Sequence, residues 1–111
     1  MHELSLLRGV VDAVEGVAQG RTVLRVGLDV GSRSGVIPEA LDGAWPVARQ
    51  NSVCEGAELQ VTEIPAAVWC PSCGCEREID EFFALTCPVC GTPTADLRHG
   101  REFQVTFVDV E

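Results

Sequence analysis

The sequence predicts an α+β fold in which two helices pack on a small three-stranded sheet, with a cysteine-rich segment inserted between the second and third strands. Two segments carry apolar residues at helical spacing, and three segments alternate apolar and polar residues. Two Cys-x-x-Cys-Gly motifs lie between the second and the third of the alternating segments. With 111 residues, 46% of them hydrophobic, the chain is large enough for one core with a small appendage.

Two segments, residues 3–18 and residues 38–50, are predicted to be helices. Gly20 follows the first segment as a natural stop. Pro38 suits the first position of the second helix, because its missing N–H is not needed there. The apolar stripes consist of Leu4, Leu7, Val11, Val14 and Val17 or Ala18 in the first helix, and of Ile37, Leu41, Ala44, Trp45 and Ala48 in the second.

Three segments, residues 22–30, 57–64 and 102–110, are predicted to be strands with one buried face. In the third strand, Val108 and Val110 break the alternation, which predicts a β-bulge or an edge strand. The residues expected to point inward are Leu24, Val26, Leu28 and Val30 in the first strand, Ala57, Leu59 and Val61 in the second, and Phe103, Val105 and Phe107 in the third.

The insert carries two matched motifs, Cys70-Pro-Ser-Cys73-Gly and Cys87-Pro-Val-Cys90-Gly, separated by 13 residues. Each turn directs two thiolates to one point, and the glycine behind them tolerates a tight backbone. Four thiolates at tetrahedral spacing predict a structural zinc site, which has no open position for catalysis. The insert spans residues 66–98 and is too small to fold on its apolar core alone, so zinc would supply much of its folding energy.

Other roles for the cysteines are less favoured. A redox Cys-x-x-Cys motif needs only one pair, commonly within a βαβ pattern, whereas this chain has two matched pairs. Two disulfides would require oxidation after metal loss. Cys75 could compete for the metal, but we expect it to be a bystander, and we expect Cys54 to be a small buried or half-buried residue.

The charge balance bears on the partners. Lys and Arg total 8 against 17 Asp and Glu, a net charge of −9, which opposes binding to nucleic acid. The longest apolar run is about five residues, whereas a membrane span needs about 20. The first residues do not resemble a secretory signal. We therefore expect a cytoplasmic protein with reduced cysteines that bind metal.

The first three residues, Met1, His2 and Glu3, form a second candidate metal site. The Met1 amine, the following amides and the His2 imidazole supply nitrogen ligands suited to square-planar Ni(II) or Cu(II). The positive end of the predicted helix disfavours a cation, and the Glu3 carboxylate offsets that effect. From the residues alone, the alternative of a solvated terminal histidine stays open. His99, where the insert ends, is predicted to be a hinge or surface residue.

Together these features resemble the HypA/HybF family of hydrogenase nickel-insertion proteins. The resemblance covers essentially the whole chain. It is carried by the initial MHELSL, by GSRSGVIPEAL at residues 31–41, by EGAEL at residues 55–59, by the paired cysteine motifs and by the last strand. The combination of the initial MHE with a later zinc ribbon is specific to this family.

The resemblance implies a nickel metallochaperone without enzymatic activity. Such a protein delivers Ni(II) to the large-subunit precursor of NiFe hydrogenase, and in some organisms to urease, and works with a HypB-type GTPase. It also implies two parts, a nickel-binding domain at residues 1–65 and 99–111 and a zinc-ribbon domain at residues 66–98. The implied ligands are Met1, His2 and Glu3 for the nickel cargo, and Cys70, Cys73, Cys87 and Cys90 for the structural zinc.

One position departs from the family pattern. Many members have an acidic residue directly before the proline of the second helix, where this chain has Ile37, which cannot bind a metal and is a poor helix cap. Glu39 is the nearest carboxylate in the sequence. The alternatives that remain are a zinc-ribbon protein-interaction module without nickel transfer and a thiol oxidoreductase with a low-pKa cysteine.

Overall fold

The structure is a computed structural model that describes residues 2–80 and 85–111. The predicted α+β fold is confirmed: two helices, one three-stranded sheet and a cysteine-rich insert are all present, and the insert contains a second three-stranded sheet. The elements are α1 (Glu3–Ala18), β1 (Val23–Gly31), α2 (Pro38–Ala48), β2 (Glu58–Ile64), β3 (Ala67–Cys70), β4 (Cys75–Glu78), β5 (Leu97–His99) and β6 (Phe103–Val110).

The first sheet has the strand order β2-β1-β6, with β2 parallel and β6 antiparallel to the central strand β1. Helix α2 connects the two parallel strands, as a parallel pair requires a crossover connection. Helices α1 and α2 pack against each other and against this sheet. The largest fully buried side chains of the shared core are Leu7, Val14, Val23, Val26, Leu28, Val30 and Leu41.

Helix α1 has the bounds that the apolar spacing predicts. It ends at Ala18, and the C-cap residue Gln19 adopts the left-handed conformation with φ 52°, directly before the predicted stop at Gly20. Of the two residues proposed for the end of the apolar stripe, Ala18 is buried and Val17 is exposed. None of the helices in the described part of the chain is long and apolar enough to cross a membrane.

Helix α2 ends at Ala48, two residues before the predicted end. Its buried face consists of Leu41, Trp45 and Ala48, as predicted. Ile37 was expected on this face, but it is 58% exposed. It lies at the N-cap with extended backbone and makes no side-chain capping hydrogen bond, because a hydrocarbon side chain has no acceptor for the free N–H groups.

The inward-facing residues of β1 and β6 were partly predicted wrongly. Leu24 is 46% exposed and Val23 is buried instead, because the pairing of β1 with β6 shifts register directly after Val23. A second shift occurs at Phe107, which is 37% exposed, while Val108 and Val110 pack on the core. The predicted irregularity of the last strand and its edge position are therefore confirmed.

The second sheet has the order β4-β3-β5, and both pairings are antiparallel. Among the residues of the insert that the structure describes, 66–80 and 85–98, the buried cluster is small: it consists of Ala66, Val68 and Ile79, with Leu85 and Leu97 partly buried against it. A cluster of this size provides little hydrophobic stabilisation. The second sheet therefore needs another source of stability.

The two sheets meet where the chain passes between them. The Gly31 N–H donates to the Glu102 carbonyl at 2.7 Å, and the Arg33 N–H donates to the Gly100 carbonyl at 2.6 Å. The Ala66 N–H donates to the hydroxyl of Ser32 at 3.1 Å. These bonds join the end of β1 to the two chain segments that connect the sheets, one at Ala66 and the other at residues 100–102.

Candidate metal centre

The four cysteines of the paired motifs converge on one point. The sulfur atoms of Cys70, Cys73, Cys87 and Cys90 all lie within 4.8 Å of one another. The sulfurs of Cys70 and Cys90 are 3.5 Å apart, and those of Cys73 and Cys87 are 3.9 Å apart. Tetrahedral zinc with bonds of ~2.3 Å places its sulfur ligands about 3.8 Å from one another, so the donor set fits zinc. No other group of three or more such ligands occurs in residues 2–80 and 85–111.

Both motifs form the same tight turn. The Gly74 N–H donates to the Cys70 carbonyl at 2.8 Å, and the Gly91 N–H donates to the Cys87 carbonyl at 2.8 Å. The two glycines have φ values of 70° and 75°, a left-handed conformation that side chains disfavour. The Cys73 N–H also donates to the Cys70 sulfur at 3.3 Å. The predicted need for glycine behind each pair of cysteines is therefore confirmed.

The four thiols differ in exposure. Cys70 ends β3 and is buried, Cys87 is also buried, Cys73 is half-buried and Cys90 is exposed. The second motif is closed by a backbone hydrogen bond from the Cys87 N–H to the Thr92 carbonyl at 2.9 Å. Because Cys90 is the exposed thiol, solvent would reach a bound ion first on the Cys90 side.

The thiol pKa values differ because each sulfur has different hydrogen-bonding neighbours. The pKa of Cys90 is lowered to about 6, chiefly by the Thr92 hydroxyl, which lies 3.1 Å from its sulfur. The pKa of Cys87 is lowered by the backbone N–H of Cys90. Arg77 lowers the pKa of Cys73, but the neighbouring sulfurs outweigh it and raise the value to about 11. Four thiolates can share this site only with a cation among them.

Cys54 and Cys75 lie outside this group. Cys54 is 0% exposed in the core beneath the first sheet, and burial raises the pKa of its thiol. Its predicted burial is confirmed. Cys75 begins β4 and is the cross-strand partner of Cys70, but it is not among the four convergent sulfurs.

His99 is a half-exposed residue between two carboxylates. Its Nε2 lies 3.1 Å from Glu76 on β4, and its Nδ1 lies 3.1 Å from Glu102 just before β6. Glu102 also accepts a hydrogen bond from the Gly100 N–H at 2.7 Å. His99 is the last residue of β5, next to the connection between the sheets, and lies at the surface as expected. A role as a hinge stays a prediction.

The start of the chain is described from His2 onward, so Met1 lies outside the described residues. His2 is exposed at the N-cap of α1, and its side chain makes no capping hydrogen bond. Glu3, in the first turn, is 6% exposed. The set of Met1, His2 and Glu3 stays a prediction.

The sequence analysis missed two side chains that act on the sulfurs. Arg77 lowers the pKa of Cys73, and the Thr92 hydroxyl lies 3.1 Å from the sulfur of Cys90. Thr92 could have been suspected because a hydroxyl two residues after the last cysteine can reach back to it. Arg77 reaches the site through the β3–β4 pairing, which cysteine spacing does not reveal.

The fold and the site define a class of small α+β protein: two helices on a three-stranded sheet, joined to a ribbon with a four-cysteine metal site. The sequence model of the HypA family, described as "Hydrogenase/urease nickel incorporation, metallochaperone, hypA", matches residues 1–110. The chain therefore belongs to the HypA family of nickel-incorporation metallochaperones, which act in hydrogenase maturation.

Individual relatives agree with this assignment. The hydrogenase maturation factor HypA of Geobacter metallireducens is 36% identical over 111 residues, which cover 100% of both chains. The HypA of Streptomyces avermitilis is 37% identical over 115 residues, covering 100% of this chain and 88% of the relative. The solution structure of the Ni metallochaperone HypA from Helicobacter pylori has the same fold, with a TM-score of 0.70 at 21% identity over 99% of this chain and 97% of that one.

Proposed function

We propose that this chain is a nickel carrier without catalytic activity. It binds Ni(II) through the Met1 amine, the adjacent backbone amides and the His2 imidazole, with Glu3 close by, and delivers the ion to the large-subunit precursor of NiFe hydrogenase. Membership of a nickel-incorporation family carries this proposal. The exposed His2, whose side chain does not cap α1, supports it as well.

The chemistry of the first residues suits a carrier. Amine, amide and imidazole nitrogens favour Ni(II), and the affinity depends on pH because each ligand must lose a proton. The N-terminal end of α1 is electropositive, which weakens cation binding, whereas the carboxylate of Glu3 in the first turn counteracts it. A site with these opposing contributions can release its ion to a partner with stronger ligands.

The four-cysteine site is proposed to hold Zn²⁺ as a structural ion through Cys70, Cys73, Cys87 and Cys90. With all four positions filled by protein, the ion has no vacancy for a substrate. We propose that residues 66–98 form a zinc-ribbon domain and that residues 1–65 and 99–111 form a nickel-binding domain. The small apolar cluster that the described residues of the ribbon form supports a stabilising role for the metal.

The proposed partners follow from the cargo. They are a HypB-type GTPase and the hydrogenase large-subunit precursor in the cytoplasm, where thiolates remain reduced and available to zinc. Nickel has to leave from the start of α1, so the precursor is proposed to contact this region, including the exposed Arg8. The family description also mentions urease, which makes urease a second recipient to test.

Nickel calorimetry on zinc-loaded protein with a native N-terminus tests the carrier site. One Ni(II) is expected to bind wild-type protein, and binding is expected to be lost in His2→Ala and in a form extended by one residue before Met1. His99→Ala is the matched control and should bind like wild type. Equal binding by all four proteins would place nickel elsewhere and refute the proposed site.

A delivery assay tests the function beyond binding. Purified precursor is incubated with nickel-loaded chain, and its nickel content is measured after separation. Wild type should transfer nickel, His2→Ala should not, and Arg8→Glu should reduce both docking and transfer. If the chain binds the precursor and no nickel moves, it is a zinc-ribbon interaction module instead of a carrier.

A further inference from the structure

The side chain of His99 links the two sheets. His99 ends β5 in the second sheet, and its Nε2 lies 3.1 Å from a carboxylate oxygen of Glu76 on the edge strand β4. Its Nδ1 lies 3.1 Å from Glu102, in the segment that returns to the first sheet. Glu102 is fixed there, because its side chain accepts the Gly100 N–H and its carbonyl accepts the Gly31 N–H, both at 2.7 Å. One ring therefore joins β4 to the segment that is bonded to the end of β1.

The contacts of both ring nitrogens indicate which protonation state of His99 this arrangement suits. An ionised carboxylate only accepts hydrogen bonds, and a neutral imidazole has a single N–H. A neutral ring can therefore donate to Glu76 or to Glu102, and its other nitrogen then turns a lone pair toward a carboxylate. The imidazolium form donates to both. The two contacts are thus satisfied together when His99 is protonated.

Glu102 keeps its negative charge while the ring titrates. Burial raises the pKa of Glu102, but hydrogen bonds from the N–H groups of Gly100 and of Glu102 itself, together with His99, outweigh burial and lower it. Histidine is the side chain that ordinarily changes charge between pH 5 and 8. A change of pH in this range therefore acts on the ring and leaves the Glu102 carboxylate ionised.

His99 also lines a cleft of about 400 Å³ between the two sheets. Four carboxylates line the same cleft from both sides, and they belong to Asp29 on β1, Glu76 and Glu78 on β4, and Glu102. Within the described part of the chain, no Lys or Arg lines it. Like charges that face one another across a partly desolvated space repel. The imidazolium is thus the cation that offsets this repulsion.

Two arginines lie on the other side of the ring. A second, smaller cavity is lined by His99, Arg98 and Arg101. Arg98 is already engaged, because it donates to both carboxylate oxygens of Asp96 at 2.8 Å and stacks over Trp69. Arg101 is exposed, so solvent and salt screen its charge. The charges that act on the ring are therefore mainly the carboxylates of the cleft.

We infer that His99 is a pH-sensitive clamp between the two sheets. The protonated ring holds Glu76 and Glu102 together and keeps the cleft closed. When the proton leaves to solvent, one carboxylate is released, and repulsion across the cleft tilts the second sheet away from the first. The backbone hydrogen bonds at residues 31–33, 66 and 100–102 carry no titratable group and act as the hinge. This inference goes beyond the proposed function and does not require the nickel site.

The test measures the orientation of the two sheets in the full zinc-loaded chain at about pH 6 and about pH 8, which bracket the ordinary titration of histidine. Residual dipolar couplings of the backbone N–H groups are fitted separately for each sheet, so that the angle between the two alignment tensors reports the tilt. Nitrogen NMR follows the protonation of the His99 ring in the same samples. In wild type the angle should shift between the two pH values, and its midpoint should coincide with that of the ring.

Three variants separate the clamp from other effects of pH. His99→Ala cannot bridge the carboxylates, so it should have the open angle at both pH values. Glu76→Gln should stay closed at both, because an amide can donate to a neutral ring or accept from a protonated one. His2→Ala is the matched control, since His2 is the other histidine of the chain and lies at the start of α1. It should follow wild type.

The outcomes are distinct. An open angle at both pH values in His99→Ala, together with a closed angle at both in Glu76→Gln, supports the clamp. One constant angle in wild type overturns it, as does a pH-dependent angle that persists in His99→Ala or is lost in His2→Ala. If His99→Ala does not fold, Glu76→Gln decides, and a pH dependence equal to that of wild type refutes the clamp. Zinc content is measured in every sample, and an angle that follows zinc loss instead of ring protonation also refutes it.

Discussion

Gly31, the last residue of β1, lies directly against the backbone of Gly100, so that a methyl group at position 31 would overlap the Gly100 carbonyl group. Gly100 has φ 125° and in turn lies against the Cα of Ala66. The chain segments that lead into and out of the second sheet therefore cross the end of β1 with no side chain between them. The placement of the ribbon on the first sheet depends on this close crossing of backbones.

Gly31→Ala should therefore destabilise the protein by about 1–3 kcal/mol, because the backbone of Gly100 must move and the Gly31 hydrogen bond to Glu102 is strained. Gly43→Ala is the control: it lies inside α2 with no atom within 4 Å of the added methyl, and should stabilise by about 0.5–1 kcal/mol. Urea unfolding of the zinc-loaded proteins measures both. Equal effects would contradict the crossing as a constraint.

The Phe107 ring covers Gly27 on the face of the first sheet opposite the helices, and a methyl group at Gly27 would overlap the ring. Gly27→Ala is expected to cost about 1–3 kcal/mol in the free energy of unfolding, because the ring must leave its place. In a Phe107→Ala background much of this cost should vanish, because the remaining obstacle is the Thr106 hydroxyl, 2.8 Å from the added methyl group. A double-mutant cycle measures the coupling, and additive effects would show that the ring does not restrict position 27.

The carbonyl of Ala57, directly before β2, accepts two hydrogen bonds, one from the Trp45 indole and one from the Arg49 guanidinium, both at 2.9 Å. Arg49→Met should cost about 0.5–1.5 kcal/mol, because the indole still satisfies the carbonyl. Trp45→Phe should cost more, because it also removes buried aromatic area. The double variant should be worse than the sum, since a buried acceptor then has no partner. Thermal or urea unfolding tests this, and simple additivity would argue against a shared role.

Metal removal should unfold the ribbon and leave the first sheet folded, because the buried cluster formed by the described residues of the ribbon is much smaller than that of the first sheet. The two tryptophans report on the two parts: Trp45 lies in the first core and Trp69 lies on β3. In Trp45→Phe protein, a strong chelator should change the remaining Trp69 fluorescence, and zinc should restore it. In Trp69→Phe protein the Trp45 signal should change little, and parallel changes in both would indicate one cooperative unit.

The local elements follow from neighbouring residues and were predictable. Helix α1 was predicted with its correct bounds, because a helix depends on side chains three and four positions apart. The two cysteine turns were equally predictable, since each is closed by contacts within five residues. The convergence of both turns on one point was inferred from their matched form, and the structure bears it out.

The inward-facing residues of the strands were less predictable. A single bulge moves burial from Leu24 to Val23, and another moves it from Phe107 to Val108. Both bulges arise in the pairing of β1 with β6, strands that lie far apart in the sequence. Periodicity within one strand cannot reveal a register shift that depends on its partner.

The sequence by itself determined which segments form the two helices and the strands of the first sheet, which four thiols form the metal site, and the family to which the chain belongs. The tertiary structure alone decided the second sheet, the contact of Gly31 with Gly100 and the placement of His99 between Glu76 and Glu102. The physical reason is the range of the interactions. Helical spacing and cysteine turns depend on residues a few positions apart, whereas strand register, close backbone crossings and the contacts of His99 depend on residues that only folding brings together.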